Sequence, residues 1–172
     1  MASGIPRGKY AAVHGCSRTE RCENEKCKAE FFRDFEIDGL SFQKTGRMCS
    51  LCNCALTDTL LDWEDALPAE DLARAEDEIE KPGTVLICLG TSLRIKPVGD
   101  LPELAEKYVI VNLQVTPHDE KAALVIRAPV DDVMSELMQQ LGYHSWQDEE
   151  PPGIERVWQP PHLKKNNNNK ST

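Results

Sequence analysis

The sequence predicts an α/β fold: a partial, doubly wound parallel sheet of about three strands, joined to a small cysteine-rich module and a polar C-terminal tail. Three observations predict it. The apolar runs "TVLICLG" (84–90), "YVIVNLQ" (108–114) and "AALVIRA" (122–128) alternate with helical stretches, the pattern of parallel strands joined by crossovers. Six of the seven cysteines fall in residues 16–57; that stretch is highly charged, has little apolar periodicity and cannot hold itself together without a staple. Residues 143–172 are Pro-rich and polar and end "KKNNNNKST", a composition with no means of forming a core.

These observations divide the chain into four regions. Residues 1–15 are a short Gly/Pro-marked segment ending at His14-Gly15, 16–57 the cysteine module, 58–142 the α/β body, and 143–172 a tail expected to be mostly disordered. Within the body, "AEDLARAEDEIEK" (69–81) sets Leu72, Ala75 and Ile79 on one face of a surface helix that Pro82-Gly83 stops. The run at 84–90 reads as a strand buried on both faces, and the other two repeat its type. "LPELAEK" (101–107) is a short helical crossover. "VDDVMSELMQQLG" (130–142) is an amphipathic helix through Val133, Met134, Leu137, Met138 and Leu141, with Gly142 at its C′ position. Three strands are about half of a dinucleotide-binding sheet and few for one covered on both sides.

A length of 172 residues fits one domain, or one domain with a small lobe. The formal net charge of −9 argues against gripping phosphate backbones, so no direct nucleic-acid site is evident and a nucleic-acid-binding zinc finger is disfavoured. No apolar stretch reaches the ~18 residues of a membrane span, and the N-terminus lacks the apolar region of a secretory signal. An odd number of cysteines in such a chain reads as metal ligands plus spares in a reducing, intracellular compartment.

Four residues lie between Cys22 and Cys27, two between Cys49 and Cys52, and 21 between the pairs. Two close pairs across a loop of this length suit tetrahedral Zn²⁺, each turn supplying two thiolates. Binding would also supply the folding energy the stretch lacks. Cys54 competes with Cys52 as fourth ligand. Cys52 is preferred because a two-residue spacing lets both sulfurs face one ion, and Cys16, Cys54 and Cys88 are read as non-ligands. Four thiolates close the coordination sphere, so the metal is structural.

At this point the residues resemble the sirtuins, NAD-dependent protein-lysine deacylases, and in particular the class IV, sirtuin-six-like branch. His14-Gly15 looks like the family's catalytic His-Gly. "DTLLDWEDALP" (58–68), "LGTSLRIKPVGDLP" (89–102) and "VIVNLQVTPHD" (109–119) match in order, and the likeness covers roughly residues 3–142. The resemblance implies that residues 58–142 are the C-terminal part of a Rossmann-like NAD-binding domain. It makes His14 the general base that takes a proton from the ribose hydroxyls, a task suited to an imidazole at neutral pH. Gly90, Thr91 and Ser92 follow a strand at the edge where open parallel sheets bind ligands. With Asn112, Leu113, Gln114 and Val130 they are the implied NAD contacts. Asp62 and Trp63 would line the acyl-lysine cleft, propped by the zinc module. The implied partners are acylated-lysine proteins such as histone tails, and the implied setting is nuclear and chromatin-bound. His118, His144 and His162 lack a matching context and read as surface or tail residues.

The family's Gly-Ala-Gly phosphate loop, Asp-Phe-Arg cofactor loop and Gln-Asn-Ile-Asp stretch have no counterpart here. The expectation is therefore a truncated chain with impaired turnover, whose sheet leaves apolar strand surface uncovered. The alternative is a non-catalytic, zinc-stabilised protein-binding module.

Overall fold

The computed structural model describes residues 5–143 and 156–164. In chain order its strands are β1 (Thr19–Cys22), β2 (Glu30–Phe32), β3 (Lys44–Met48), β4 (Ala55–Asp58), β5 (Val85–Leu89), β6 (Lys107–Val111), β7 (Leu124–Ile126) and β8 (Val157–Trp158). The helices are α1 (Ala69–Ile79) and α2 (Val130–Gln140), with four short 3₁₀ segments among the described residues. The chain divides into two units, residues 1–71 with 150–172, and residues 72–149.

The first unit is built on an antiparallel sheet in the order β3-β4-β1-β2-β8. Periodicity does not reveal these strands, for a physical reason. β1–β4 are three to five residues long, and three of their buried side chains are carboxylates, Glu20, Glu30 and Asp58. Glu20 is satisfied by Arg33, Arg47 and Thr45; Glu30 is satisfied by Arg7 and Arg21. Charge thus stands where an alternation rule expects apolar residues. The apolar core of this sheet is small and sulfur-rich: Cys22, Cys27, Ala29, Phe31, Cys49 and Leu56.

β8 lies in the stretch read as a tail. It pairs antiparallel with β2, Glu30 opposite Trp158 and Phe31 opposite Val157. Part of the Pro-rich segment therefore completes a sheet edge; the remaining expectation of disorder, over 144–155 and 165–172, lies outside the described residues, as does His144.

The second unit holds the parallel sheet β5-β6-β7, in register from Val85↔Lys107 to Leu89↔Val111 and from Val109↔Leu124 to Val111↔Ile126. A 3₁₀ segment, Val98–Leu104, makes the first crossover. The expectation that β5 is buried on both faces is corrected. Cys88 is buried, but Val85 and Ile87 are 54% and 44% exposed, and Leu124 on β7 is 52% exposed. One face is covered by a core of Cys88, Leu93, Tyr108 and Ile110; on the other, Val111 of β6 is buried while Val85 and Ile87 of β5 stay open. The uncovered apolar strand surface anticipated from the strand count is present.

α1 and α2 occupy the expected stretches and end one or two residues earlier. After α2, Gly142 adopts φ +86°; its N–H reaches Gln139 O and that of Tyr143 reaches Met138 O, at 2.9 Å each. These paired bonds close the helix as a Schellman turn requires. His118 is the second correction: it is 6% exposed rather than a surface residue, because Tyr108 donates to its carbonyl at 2.9 Å and draws the backbone inward. Among the described residues no helix is long and apolar enough to cross a membrane.

Candidate metal centre and strand-end site

The four sulfurs of Cys22, Cys27, Cys49 and Cys52 all lie within 4.8 Å of one another. Each pair is held by its own backbone turn. In the first, the N–H groups of Cys27 and Lys28 both reach Asn24 O, at 2.8 and 2.9 Å, and Asn24 Oδ1 accepts from Lys26 N. In the second, Cys49 N reaches Cys54 O and Asn53 N reaches Cys49 O, both at 2.8 Å. Asn53 has φ +58°, a left-handed conformation that Asn tolerates. That residue turns the chain so that Cys54 leaves the cluster, and its sulfur accepts from Asn24 Nδ2 at 3.5 Å instead.

The cluster fits a tetrahedral ion. A Zn–S bond of about 2.3 Å implies S···S edges of about 3.8 Å, against 3.4 Å for Cys22–Cys52 and 3.8 Å for Cys27–Cys49. The thiols differ in their surroundings. A backbone hydrogen bond involving Cys54 brings Cys52 down to about 6, whereas burial pushes Cys22 and Cys27 up. With no oxygen or nitrogen ligand and no open position, the set suits a structural zinc.

His14 is exposed at the end of the N-terminal segment, and its neighbours are fixed. Gly15 has φ +79°, and a Cβ there would stand 1.8 Å from Thr59 O. Cys16 N donates to Thr59 Oγ1 at 3.2 Å, and that hydroxyl bonds back to Cys16 O at 3.1 Å. Upstream, Arg7 is 4% exposed. It donates to Glu30 (2.5 and 3.1 Å) and to Asp71 (3.1 and 2.8 Å), and lies over the rings of Tyr10 and Trp158. Asp71 Oδ2 also accepts from Ala12 N at 3.2 Å, so the chain is gripped on both sides of the histidine. No local sequence signal announces Arg7, because its partners lie 23 and 64 residues away.

Asp62 and Trp63 follow β4 on a turn in the same unit. Asp62 Oδ1 accepts from Trp63 N at 2.7 Å. Asp65 accepts from Asp62 N and from the Ser41 hydroxyl, both at 2.8 Å. The turn is thereby tied to a loop in which Ser41 and Phe42 both adopt positive φ. Trp63 is 85% exposed. The indole therefore lies outside the core.

In the second unit, Gly90 ends β5 with φ +59° and donates to Val111 O at 2.9 Å. Thr91 Oγ1 accepts from Leu93 N, and Ser92 is exposed. Asn112 ends β6; its N–H reaches Ile126 O, and its amide holds Gln114 O at 2.9 Å. Arg127 donates to the carbonyls of Asn112 and Gln114 and pairs with Asp119. Leu113 is 67% exposed. Val130 opens α2, and its Cγ2 would lie 3.6 Å from a Cβ at Gly90. Gly90, Asn112 and Val130 thus gather at the carboxyl edge of the parallel sheet.

A small four-cysteine module on an antiparallel sheet, with a parallel α/β unit in the same chain, defines a narrow class of proteins. The chain is 46% identical over 147 residues to the NAD-dependent protein deacetylase SRT1 of Arabidopsis thaliana, covering 82% of this chain and 30% of that protein. It is 34% identical over 155 residues to the NAD-dependent protein deacetylase Sirt6 of Drosophila melanogaster, covering 83% and 48%. Among solved structures, a Sir2 homologue mutant in complex with ADP-ribose aligns with a TM-score of 0.60 at 25% identity, over 78% of this chain and 53% of that one. No family model matches. The chain is a homologue of the sirtuins, and it spans between 30% and 48% of the length of these two relatives.

Proposed function

We propose that this chain carries the base, the structural zinc and the adenosine-side contacts of a sirtuin-type NAD-dependent protein-lysine deacylase. In that reaction nicotinamide is released and the acyl group passes to ADP-ribose. The observation that carries the reading is the fixed placement of His14: an exposed imidazole on a segment pinned by Thr59, Arg7 and Asp71. NAD, when bound, supplies a ribosyl carbon from which nicotinamide leaves. His14 accepts a proton from a ribose hydroxyl; Gly90, Thr91, Ser92, Asn112, Leu113, Gln114 and Val130 hold the nucleotide by backbone approach and polar bonds. Asp62 and Trp63 meet the acylated lysine, and Cys22, Cys27, Cys49 and Cys52 hold zinc. Histone tails as substrates and a nuclear, chromatin-bound setting belong to the same proposal.

A second reading is supported by a specific observation. The exposed Trp63 turn and the four cysteines belong to one unit, so a zinc-stabilised module binding acylated-lysine proteins without turnover would need only that unit. Two measurements decide. Saturable heat on NAD titration is expected for a chain that keeps the cofactor site, with turnover impaired and any residual deacylation of an acetyl-lysine peptide lost in His14→Ala. Peptide binding with no heat from NAD would sink the catalytic reading and leave the module.

A further inference from the structure

We infer that the segment Arg156–Lys164 is the outer wall of the metal centre, and that Gln159 positions the ligand Cys27 and slows release of the ion. This rests on the proposal that the four cysteines hold zinc. β8 is laid against β2 by its ladder and by Phe32 N donating to Arg156 O at 2.8 Å, and Trp158 lies against the Arg7 guanidinium. That pairing delivers the next residue onto the first cysteine turn. Gln159 Nε2 donates to Cys27 O at 2.9 Å and approaches Cys27 Sγ at 3.8 Å. Buried Pro160 and the turn bond from Leu163 N to Pro160 O, 2.9 Å, then fold the chain back.

The space between this wall and the cysteine turns is an open cavity of about 650 Å³, lined in part by Cys27, Cys52, Leu51, Gln159, Leu163 and Lys164. Two of the four cysteines line it, together with Gln159, so a chelator or a proton approaching through it meets the Gln159 amide. An N–H donor on a metal thiolate takes up part of its negative charge. The companion bond to the Cys27 carbonyl opposes the backbone rotation by which the sulfur would leave. Partners of this kind, outside the ligand set, typically change metal affinity by about 10–100-fold.

The test uses the full chain loaded with Zn²⁺, and in parallel with Co²⁺. Release to a chromophoric chelator is timed for the wild type, Gln159→Leu, Gln159→Glu and Gln159→Asn. Leu removes the donor at similar volume; Glu is isosteric and keeps the comparison usable should the Leu variant not fold. We expect release about 10-fold faster for Leu and Glu, a shifted sulfur-to-cobalt charge-transfer band, and partial recovery with Asn. Release within twofold of wild type, with an unchanged cobalt spectrum, overturns the inference. A wild-type chain that binds no zinc would instead overturn the assignment of the cysteines, so the two failures are distinct.

Discussion

At the scale of single residues, the candidate site depends on groups that touch no ligand. Gly15 combines a left-handed backbone with a carbonyl where any Cβ would go. Gly15→Ala should therefore cost about 2–4 kcal/mol, from the unfavourable φ and the displaced Thr59 contact. Urea unfolding would measure it, and a loss below ~1 kcal/mol would show that the turn relaxes freely. Arg7 is the second such group. Arg7→Met leaves two buried carboxylates without their shared cation, a change of about 3 kcal/mol or more. Arg7→Lys should recover only part of it, because a point charge cannot serve Glu30 and Asp71 through a planar fork.

At the scale of elements, the two cysteine turns are built alike and end differently. The left-handed Asn53 directs Cys52 into the cluster and Cys54 out of it. Cys52→Ser and Cys49→Ser should lose the zinc, while Cys54→Ser keeps one ion per chain; metal analysis of the purified variants decides this. Because these cysteines also form the hydrophobic core of their sheet, metal loss should melt β1–β4 cooperatively. Circular dichroism during chelation would follow that change. The same double duty explains why a polar stretch with so few large apolar residues folds.

At the scale of the whole molecule, acid sensitivity follows from two buried glutamates. Burial pushes the pKa of Glu20 and Glu30 up, but Thr45, Arg33 and Arg47 around the first, and Arg7 and Arg21 around the second, outweigh it. Both are held below the usual range. Each then binds its proton more weakly folded than unfolded. The stabilisation is full above the unfolded value of about 4.3 and is lost as pH falls through the folded value. The stability gap between wild type and Glu20→Gln should be constant above about pH 5 and narrow below about pH 4. A gap that widens in acid would reverse the assignment. Separately, the exposed β5 face, with Val85 and Ile87 open to solvent, should drive concentration-dependent association. Ile87→Lys should weaken that association in light scattering without lowering the melting temperature.

What the sequence determined by itself is whatever short range encodes. The three parallel strands follow from continuous apolar runs, α2 and its Gly142 stop from period and cap chemistry, and the four clustered sulfurs from spacing along the chain. Tertiary structure alone decided which contacts form across long separations. The antiparallel sheet has carboxylates at buried positions, which pattern reading counts as polar surface. β8 owes its place to β2, some 125 residues earlier, since two residues of strand carry no signal of their own. The burial of His118 and the bare face of β5 depend likewise on what packs against them. A residue's chemistry is local, but its environment is set by neighbours the chain brings from far away.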